Sequence, residues 1–422
     1  MSRLRGHVAI PALLVVVTLG ALPALAGSSR TALVSKTSAG APGDGDSGSP
    51  VASASGRYVA FASEAPNLPG SDSDQSVYLA DRRTGRTVLI SKRSDGEPAM
   101  DGNSNDPSIS GSGRFIAFRS GAANLPAGGV ERERVYVHDR KTDTTRLVSK
   151  TSAGEPDNGY SDSPSISVSG RYVSFRSTAT NLPGNDSFND IYVHDRKTGR
   201  TELVSRNSGG QPANADSRPD NSISPSGRYV GFSSAATNLP GNPENTYIHD
   251  RKTGTTRVVS KTSDGQPANG NSSYPSISAT GRYVSFVSSA TNLPGDDAVT
   301  DAFVHDRKTG RTRLVSKTSA GDPASASALY TWISASGRYV AFNSEATNLP
   351  GDDLVEDVYL RDRKTGRTSL VSKSTTGDPA SGGDSFLGSL TPSGGYVTFS
   401  SEATNLAGDD LYLDAYIHGP LR

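Results

Sequence analysis

Cysteine is absent from all 422 residues. Disulfides, thiolate metal sites, a cysteine nucleophile and a lipid-modified cysteine are thereby excluded. Neither sign of charge prevails, since Lys plus Arg is 43 and Asp plus Glu is 43. That excludes a generally basic nucleic-acid binder and an acidic solvating tail. Apolar residues are only 33% of the chain, and tryptophan occurs once, as Trp332. Gly (45) and Pro (25) make up about one residue in six, below the level of low-complexity chains. Length alone, at ~150 residues per domain, suggests two or three domains.

Long apolar runs are missing except at the start. Arg3 and Arg5 precede Val8 to Ala26, which is almost wholly apolar and ends in Ala24-Leu25-Ala26. A basic segment, an apolar segment and an A-x-A site read as a signal peptide over residues 1–26, cut near Ala26. Pro11 and Pro23 make a retained membrane anchor the lesser reading. The mature chain, 27–422, is expected to be exported, extracellular or periplasmic, without a transmembrane segment and monomeric.

What fills the mature chain is one unit written seven times. S-x-S-G-R-Y-V-x-F-x-S recurs with its glycine at Gly56, Gly113, Gly170, Gly227, Gly281, Gly337 and Gly394. A phenylalanine follows five residues later, then an Asn-Leu pair, then V-Y-V-H-D-R-K-T-G-R, then L-V-S-K. Fixed self-similarity of this length is the mark of repeat architectures. Each unit holds four strand signals and no helical period. In the second unit these are Ser108 to Ser110, Phe115 to Ser120, Val135 to Asp139 and Thr145 to Lys150, called strands A to D. The pattern predicts an all-β fold, a seven-bladed β-propeller with four antiparallel strands per blade in one domain spanning 27–422. A solenoid, the runner-up, would need atypical capping units at its ends. Instead Thr31 to Lys36 reads as a strand D alone, and Ala415 to His418 as a strand C with no strand D after it. The two fragments are expected to meet, so that residues 31–36 form the outer strand of blade 7 and close the ring.

Ser224-Pro225-Ser226-Gly227-Arg228-Tyr229-Val230 and Pro392-Ser393-Gly394 carry a family resemblance. They resemble the WD40-like repeat of TolB-type bacterial envelope propellers, roughly S-P-D-G-R-x-I-A-F, then I-Y-V-x-D, then T-G and a short strand. The resemblance covers about residues 31–418. It implies the propeller fold and a binding role in the bacterial envelope. TolB carries a separate domain ahead of its propeller, whereas here only Gly27 to Arg30 are expected to precede the first strand. Prolyl-peptidase relatives add a hydrolase domain, and none is expected after residue 418.

Three recurring polar positions need a reading. The turn arginine and the strand-C aspartate are expected to pair within each blade: Arg57 with Asp81, Arg114 with Asp139, Arg171 with Asp195, Arg228 with Asp250, Arg282 with Asp306 and Arg338 with Asp362. Blade 7 loses both together, to Gly395 and Gly419, as an ion pair would. His138, His194, His249, His305 and His418 occupy one place on strand C of different blades. That is too far apart to share a metal ion, and an exposed strand end is expected. The long B–C loops carry acids: Asp296, Asp297 and Asp301; Asp352, Asp353, Glu356 and Asp357; Asp409, Asp410 and Asp414. Oxygen-rich loops can hold calcium. Solvated turns are the expectation, because the loops depart from an EF-hand and blades 2 and 4 lack the pattern. No cofactor is expected otherwise.

Departures from symmetry point to a site. Seven residues before the turn glycine stand Ser49, Asp106, Ser163, Asp220, Tyr274, Tyr330 and Leu387. Three large residues fall on consecutive blades, with Trp332 near Tyr330 and Phe386 before Leu387. Aromatics with a polar tip favour binding surfaces, so Tyr274, Tyr330, Trp332, Phe386 and Leu387 are the candidate ligand contacts on the long-loop face. The expected function is a non-enzymatic propeller that binds an envelope or extracellular protein, peptide or glycan. The alternative is a glycan-active hydrolase or lyase with carboxylates at the channel. A structural wall or spore-surface component is the third reading.

Overall fold

The computed structural model describes residues 30–421 apart from 72–73, 129–131, 185–186, 296–298, 352–353 and 409–411. Seven sheets of four antiparallel strands follow one another around a ring, and the described residues contain no helix. Blade 2 is typical. Its strands are Ser104–Ile109, Phe115–Ser120, Arg134–Asp139 and Thr144–Leu147. Strand B is as the sequence predicts. Strand A starts four residues earlier, because a bulge lets polar residues continue the ladder: the register shifts between Asn105 and Ser108. Strand D stops at Leu147, where Lys150 turns to bridge Pro156 instead.

Blade 7 is assembled from both ends of the chain. Ser385–Leu390, Val397–Ser401 and Asp414–Gly419 supply its inner strands, and Arg30–Leu33 its outer one. Arg30 pairs with Gly419 and Leu33 with Tyr416. Closure places the expected outer strand in blade 7, over Arg30–Leu33.

Each blade packs by the same rule. The strand-B phenylalanine stacks on the aromatic of strand C, as in Phe118 on Tyr136 and Phe399 on Tyr416, with centroids 5.8 and 5.4 Å apart. The recurring Asn-Leu pair has a purpose as well. The leucine is buried, and the asparagine amide donates to a proline carbonyl on the D–A loop, for example Asn181 to Pro156 at 2.9 Å. The two long loops of each blade are thereby tied together over the core.

Blade meets blade through the short-turn face. The aromatic that opens strand B lies against the turn glycine of the next blade. At Gly227, φ is +76° and an added Cβ would lie 2.1 Å from the Tyr172 ring, so the position needs glycine for both conformation and space. The arginine after the strand-C aspartate then covers that ring. Arg251 stands 4.4 Å from the Tyr172 centroid, and its guanidinium donates to the Gly227 carbonyl. Arg82, Arg140, Arg196, Arg307 and Arg363 repeat the arrangement.

Candidate functional site

The six turn arginines each grip an aspartate with Nε and Nη2. The Nη2–Oδ2 distances are 2.6 Å for Arg57–Asp81, Arg171–Asp195 and Arg228–Asp250. They are 2.7 Å for Arg114–Asp139 and Arg338–Asp362, and 2.8 Å for Arg282–Asp306. Each carboxylate also accepts a backbone N–H two residues on, as Asp195 does from Lys197 at 3.0 Å. The arginine hydrogen bonds hold these carboxyls below the ordinary range, Asp139 at about 2. The bidentate geometry ties the A–B turn to the C–D turn and leaves the carboxylates no free oxygen for a ligand. A double-mutant cycle with Arg171→Ala and Asp195→Ala is expected to show coupling, the double variant melting no lower than the worse single one. Additive losses would reject the pairing as a stabilising contact.

The histidines correct the sequence reading. They are buried, not exposed: His138, His249 and His418 are 1% accessible, His305 2% and His194 3%. In each, Nδ1 lies 2.9–3.0 Å from a strand-D threonine hydroxyl, such as Thr145 or Thr201. That hydroxyl already donates to a carbonyl of the preceding blade, as Thr201 does to Lys150 at 2.6 Å. Its one proton is used, so in His194, His249, His305 and His418 Nδ1 carries the hydrogen and donates, whereas His138 also sets Nε2 3.3 Å from the Asp143 carboxylate. Burial, then a Lys or Arg of the preceding blade, lowers all five rings to about 4. In blade 6 Arg361 takes the same place and donates to Thr368 at 2.8 Å. Each histidine thus braces, within its own blade, the threonine that bonds to the preceding blade.

The acidic loops also differ from expectation. Asp296, Asp297, Asp352, Asp353, Asp409 and Asp410 lie outside the described residues. The acids that open strand C are not solvated: Asp301 is 2% accessible, Asp357 0% and Asp414 2%. Each accepts at 2.5 Å the hydroxyl of the serine two residues past strand D, Ser316, Ser372 and Ser35. Beside them Glu356 is buried, and desolvation, then Asp384 and Glu345, push it up to about 7. Among the described residues no three His, Cys, Asp or Glu side chains are grouped to hold a metal.

At the long-loop mouth of the channel the inner strands of the blades, six of them bulged, present different side chains. Tyr274 and Tyr330 meet edge to face, with centroids 4.6 Å apart and planes at 70°. Each is 37% accessible. Tyr274 sits at φ +53°, a region costly for a bulky residue. Its N–H donates to buried Asp220 at 2.8 Å, and its carbonyl accepts from Thr331 at 3.1 Å. Burial, then Tyr330, raises its phenol to about 12. Ser49, Asp106 and Ser163 occupy the same bulge at φ +50° to +51°. The opposite rim is charged: Arg119 joins Asp106 at 3.0 Å and Glu133 at 2.7 Å, Arg176 joins Asp162 at 2.5 Å, and Arg218 pairs with Glu244. Burial raises the Asp106 and Asp220 carboxyls.

The structure brings together two of the five candidate residues. Trp332 lines a narrow channel cavity of about 110 Å³ with Ile166, Ile223 and Ile333, toward the short-turn end. Trp332 and Leu387 are partly buried against the blade 6–7 core, and Phe386 is half-buried beside Leu387. The sequence reading missed Arg119 and Arg176. Their signal was present, since strand B there reads F-R-S where other blades place a small or uncharged residue.

No family model and no curated protein match the chain. Solved structures do. An oligogalacturonate lyase from Vibrio parahaemolyticus is 13% identical with TM-score 0.57, over 93% of this chain and 96% of that one. The β-propeller domain of the trilobed protease from Pyrococcus furiosus is 11% identical with TM-score 0.54, over 89% and 94%. TolB from Acinetobacter baumannii is 16% identical with TM-score 0.43, over 78% of this chain, which spans 65% of the length of that TolB. No helix of the described residues is long and apolar enough to cross a membrane. At such identities a likeness carries fold alone, and on fold the chain is a seven-bladed β-propeller of four-stranded antiparallel blades.

Proposed function

We propose that the protein is a non-enzymatic binder, exported by residues 1–26, whose long-loop face takes an envelope or extracellular protein, peptide or glycan. The Tyr274–Tyr330 pair carries this reading. A tyrosine in the left-handed region costs about 1–3 kcal/mol, and blades 1–3 fill the same bulge with serine or aspartate. Asp220 and Thr331 hold the Tyr274 backbone in that conformation from both sides. The result is two rigid rings set across the channel from a rim of paired arginines and acids. Such rings supply contact area at low entropic cost, and the rim supplies hydrogen bonds.

The test is an array of cell-wall glycans and envelope peptides followed by calorimetry on the hits. Tyr274→Ala and Tyr330→Ala are each expected to weaken binding at least about tenfold. Unaltered affinity in both variants removes this site.

A second reading, a glycan-active hydrolase or lyase, draws on Asp106 and Asp220, two carboxyls whose proton affinity is raised at the same rim. It is placed second because Asp220 spends its oxygens on the Tyr274 and Ser233 N–H groups and Asp106 faces Arg119. Product release from any bound glycan, abolished by Asp106→Asn, would reverse the order.

A further inference from the structure

The short-turn face repeats one device and then breaks it. Between blades 5 and 6 the Tyr283 ring is held between two guanidinium groups. Arg282 of its own blade lies 4.7 Å from the centroid and Arg363 of the next blade 4.6 Å. Arg363 also donates to the Gly337 carbonyl. Between blades 6 and 7 the equivalent ring is Tyr339, and Arg338 covers it at 4.8 Å. Among the described residues the second cation is missing, because Gly419-Pro420 stands where all six other blades read Asp-Arg. The backbone compensates: Leu421 N–H reaches the Gly395 carbonyl at 2.9 Å, as Arg363 N–H reaches Arg338. Among the described residues no side chain takes the place of that cation.

A cavity results. It measures about 870 Å³ and is lined by Tyr339, Leu360, Arg367, Lys373, Pro420 and Leu421, among others. Between blades 5 and 6 the corresponding space is two cavities that Arg363 lines from both sides, about 480 Å³ around Tyr283 and about 510 Å³ over Leu314 and Lys317, so what the missing arginine leaves is one continuous space. Basic neighbours do not exclude a cation here. Arg363 sits among Arg282, Arg311 and Arg313. At the blade 6–7 slot Ser369 replaces the counterpart of Arg313, and the Arg338 charge is matched by Asp362 at 2.7 Å. The empty slot therefore has one cation fewer than its filled sibling.

We propose that this slot receives an arginine side chain from a partner polypeptide. Its guanidinium stacks on the open face of Tyr339 and donates to the Gly394 carbonyl, the counterpart of Gly337. Its methylenes lie along Leu360, Pro420 and Leu421. Six arginines of the chain itself show what the slot is shaped to hold. The site is on the face opposite Tyr274 and Tyr330, so it stands or falls apart from the reading above.

Calorimetric titration of the full chain with a capped Gly-Arg-Gly peptide tests it, with lysine, citrulline and glutamate peptides alongside. Arg422→Ala is titrated in parallel so that the chain's own last guanidinium does not compete. Saturable binding of the arginine peptide is expected in at least one of the two, stronger than lysine or citrulline. Tyr339→Leu should weaken it about tenfold. Pro420→Arg restores the sibling residue, so it should fold, raise the melting temperature and abolish binding. Three results would overturn the proposal: no saturable binding in either chain, tighter binding of the glutamate peptide, or binding unchanged in Pro420→Arg.

Discussion

Lowering the pH from 7 to 4 is expected to remove most of the stability of the ring. Five buried histidines titrate at about 4 in the folded chain against 6.5 when exposed. Between those values the unfolded chain binds more protons than the native one. The neutral rings therefore contribute fully above pH 6.5, and the contribution is lost as pH falls through the window. The displacement corresponds to at most about 3 kcal/mol per histidine. Even a third of that, summed over five sites, is comparable with a typical margin of about 5–15 kcal/mol. The Arg–Asp pairs do not confuse the result. Their carboxyls are lowered, so that contribution persists throughout this window and falls only below pH 3.8. Glu356 works the other way, since its raised proton affinity favours the folded state as pH drops below 7, and the raised carboxyls of Asp106, Asp157 and Asp220 act in the same sense at lower pH, so they offset part of the loss.

Protonation also has a structural meaning. In four of the five the ring already donates from Nδ1 to a threonine, and a second proton places a charge beside the Lys or Arg of the preceding blade; at His138 Asp143, 3.3 Å from Nε2, softens that cost. The seams between blades should loosen first. Melting temperature followed by circular dichroism from pH 7.5 to 4 measures this. His305→Gln keeps a donor for Thr312 without a titrating group, and should flatten the profile by roughly one fifth. A melting temperature constant over that range would show that the rings are not stabilised by being neutral.

The sequence made the ring legible because the device that repeats is local. Gly227 needs its left-handed turn, Phe232 and Tyr247 their alternating strands, and Asn238 its loop. All of these recur at one spacing. What it hid are contacts between blades. His194 looked like a polar residue near a strand end, and only the threonine of its own strand D and the Lys150 carbonyl of the preceding blade explain its burial. Asp220 belongs to blade 4, yet it holds the backbone of Tyr274 in blade 5. Tyr274 and Tyr330 were visible as breaks in a pattern, and so were Gly395 and Gly419. The consequence of the last two for Tyr339 was not, because Tyr339 itself fits the repeat.

Deleting residues 30–36 is expected to cost more than any single side chain discussed above. The segment is bonded to three blades at once. Arg30 to Leu33 form the edge ladder of blade 7, and Val34 N–H continues it to Ala415 at 2.9 Å. Thr31 donates to the Lys373 carbonyl of blade 6, and Thr87 of blade 1 donates to the Lys36 carbonyl at 2.6 Å. Ser35 holds Asp414 at 2.5 Å. Leu33 and Val34 are buried, at 8% and 1% accessible, and each contributes about 1.5–3 kcal/mol by burial alone. Removal also takes the Ser35 hydroxyl from Asp414 and leaves the Asp414–Gly419 strand as an open edge, prone to pairing with other chains. A melting temperature lower by on the order of 5–10 °C, with aggregation on heating, is the expected result. A synthetic peptide of residues 29–38 supplied in trans should restore part of the loss, because the seam is non-covalent and its partner strand is still in place. An unchanged melt would mean that blades 1 and 6 hold blade 7 without its outer strand, and that the ring closes by packing rather than by this ladder.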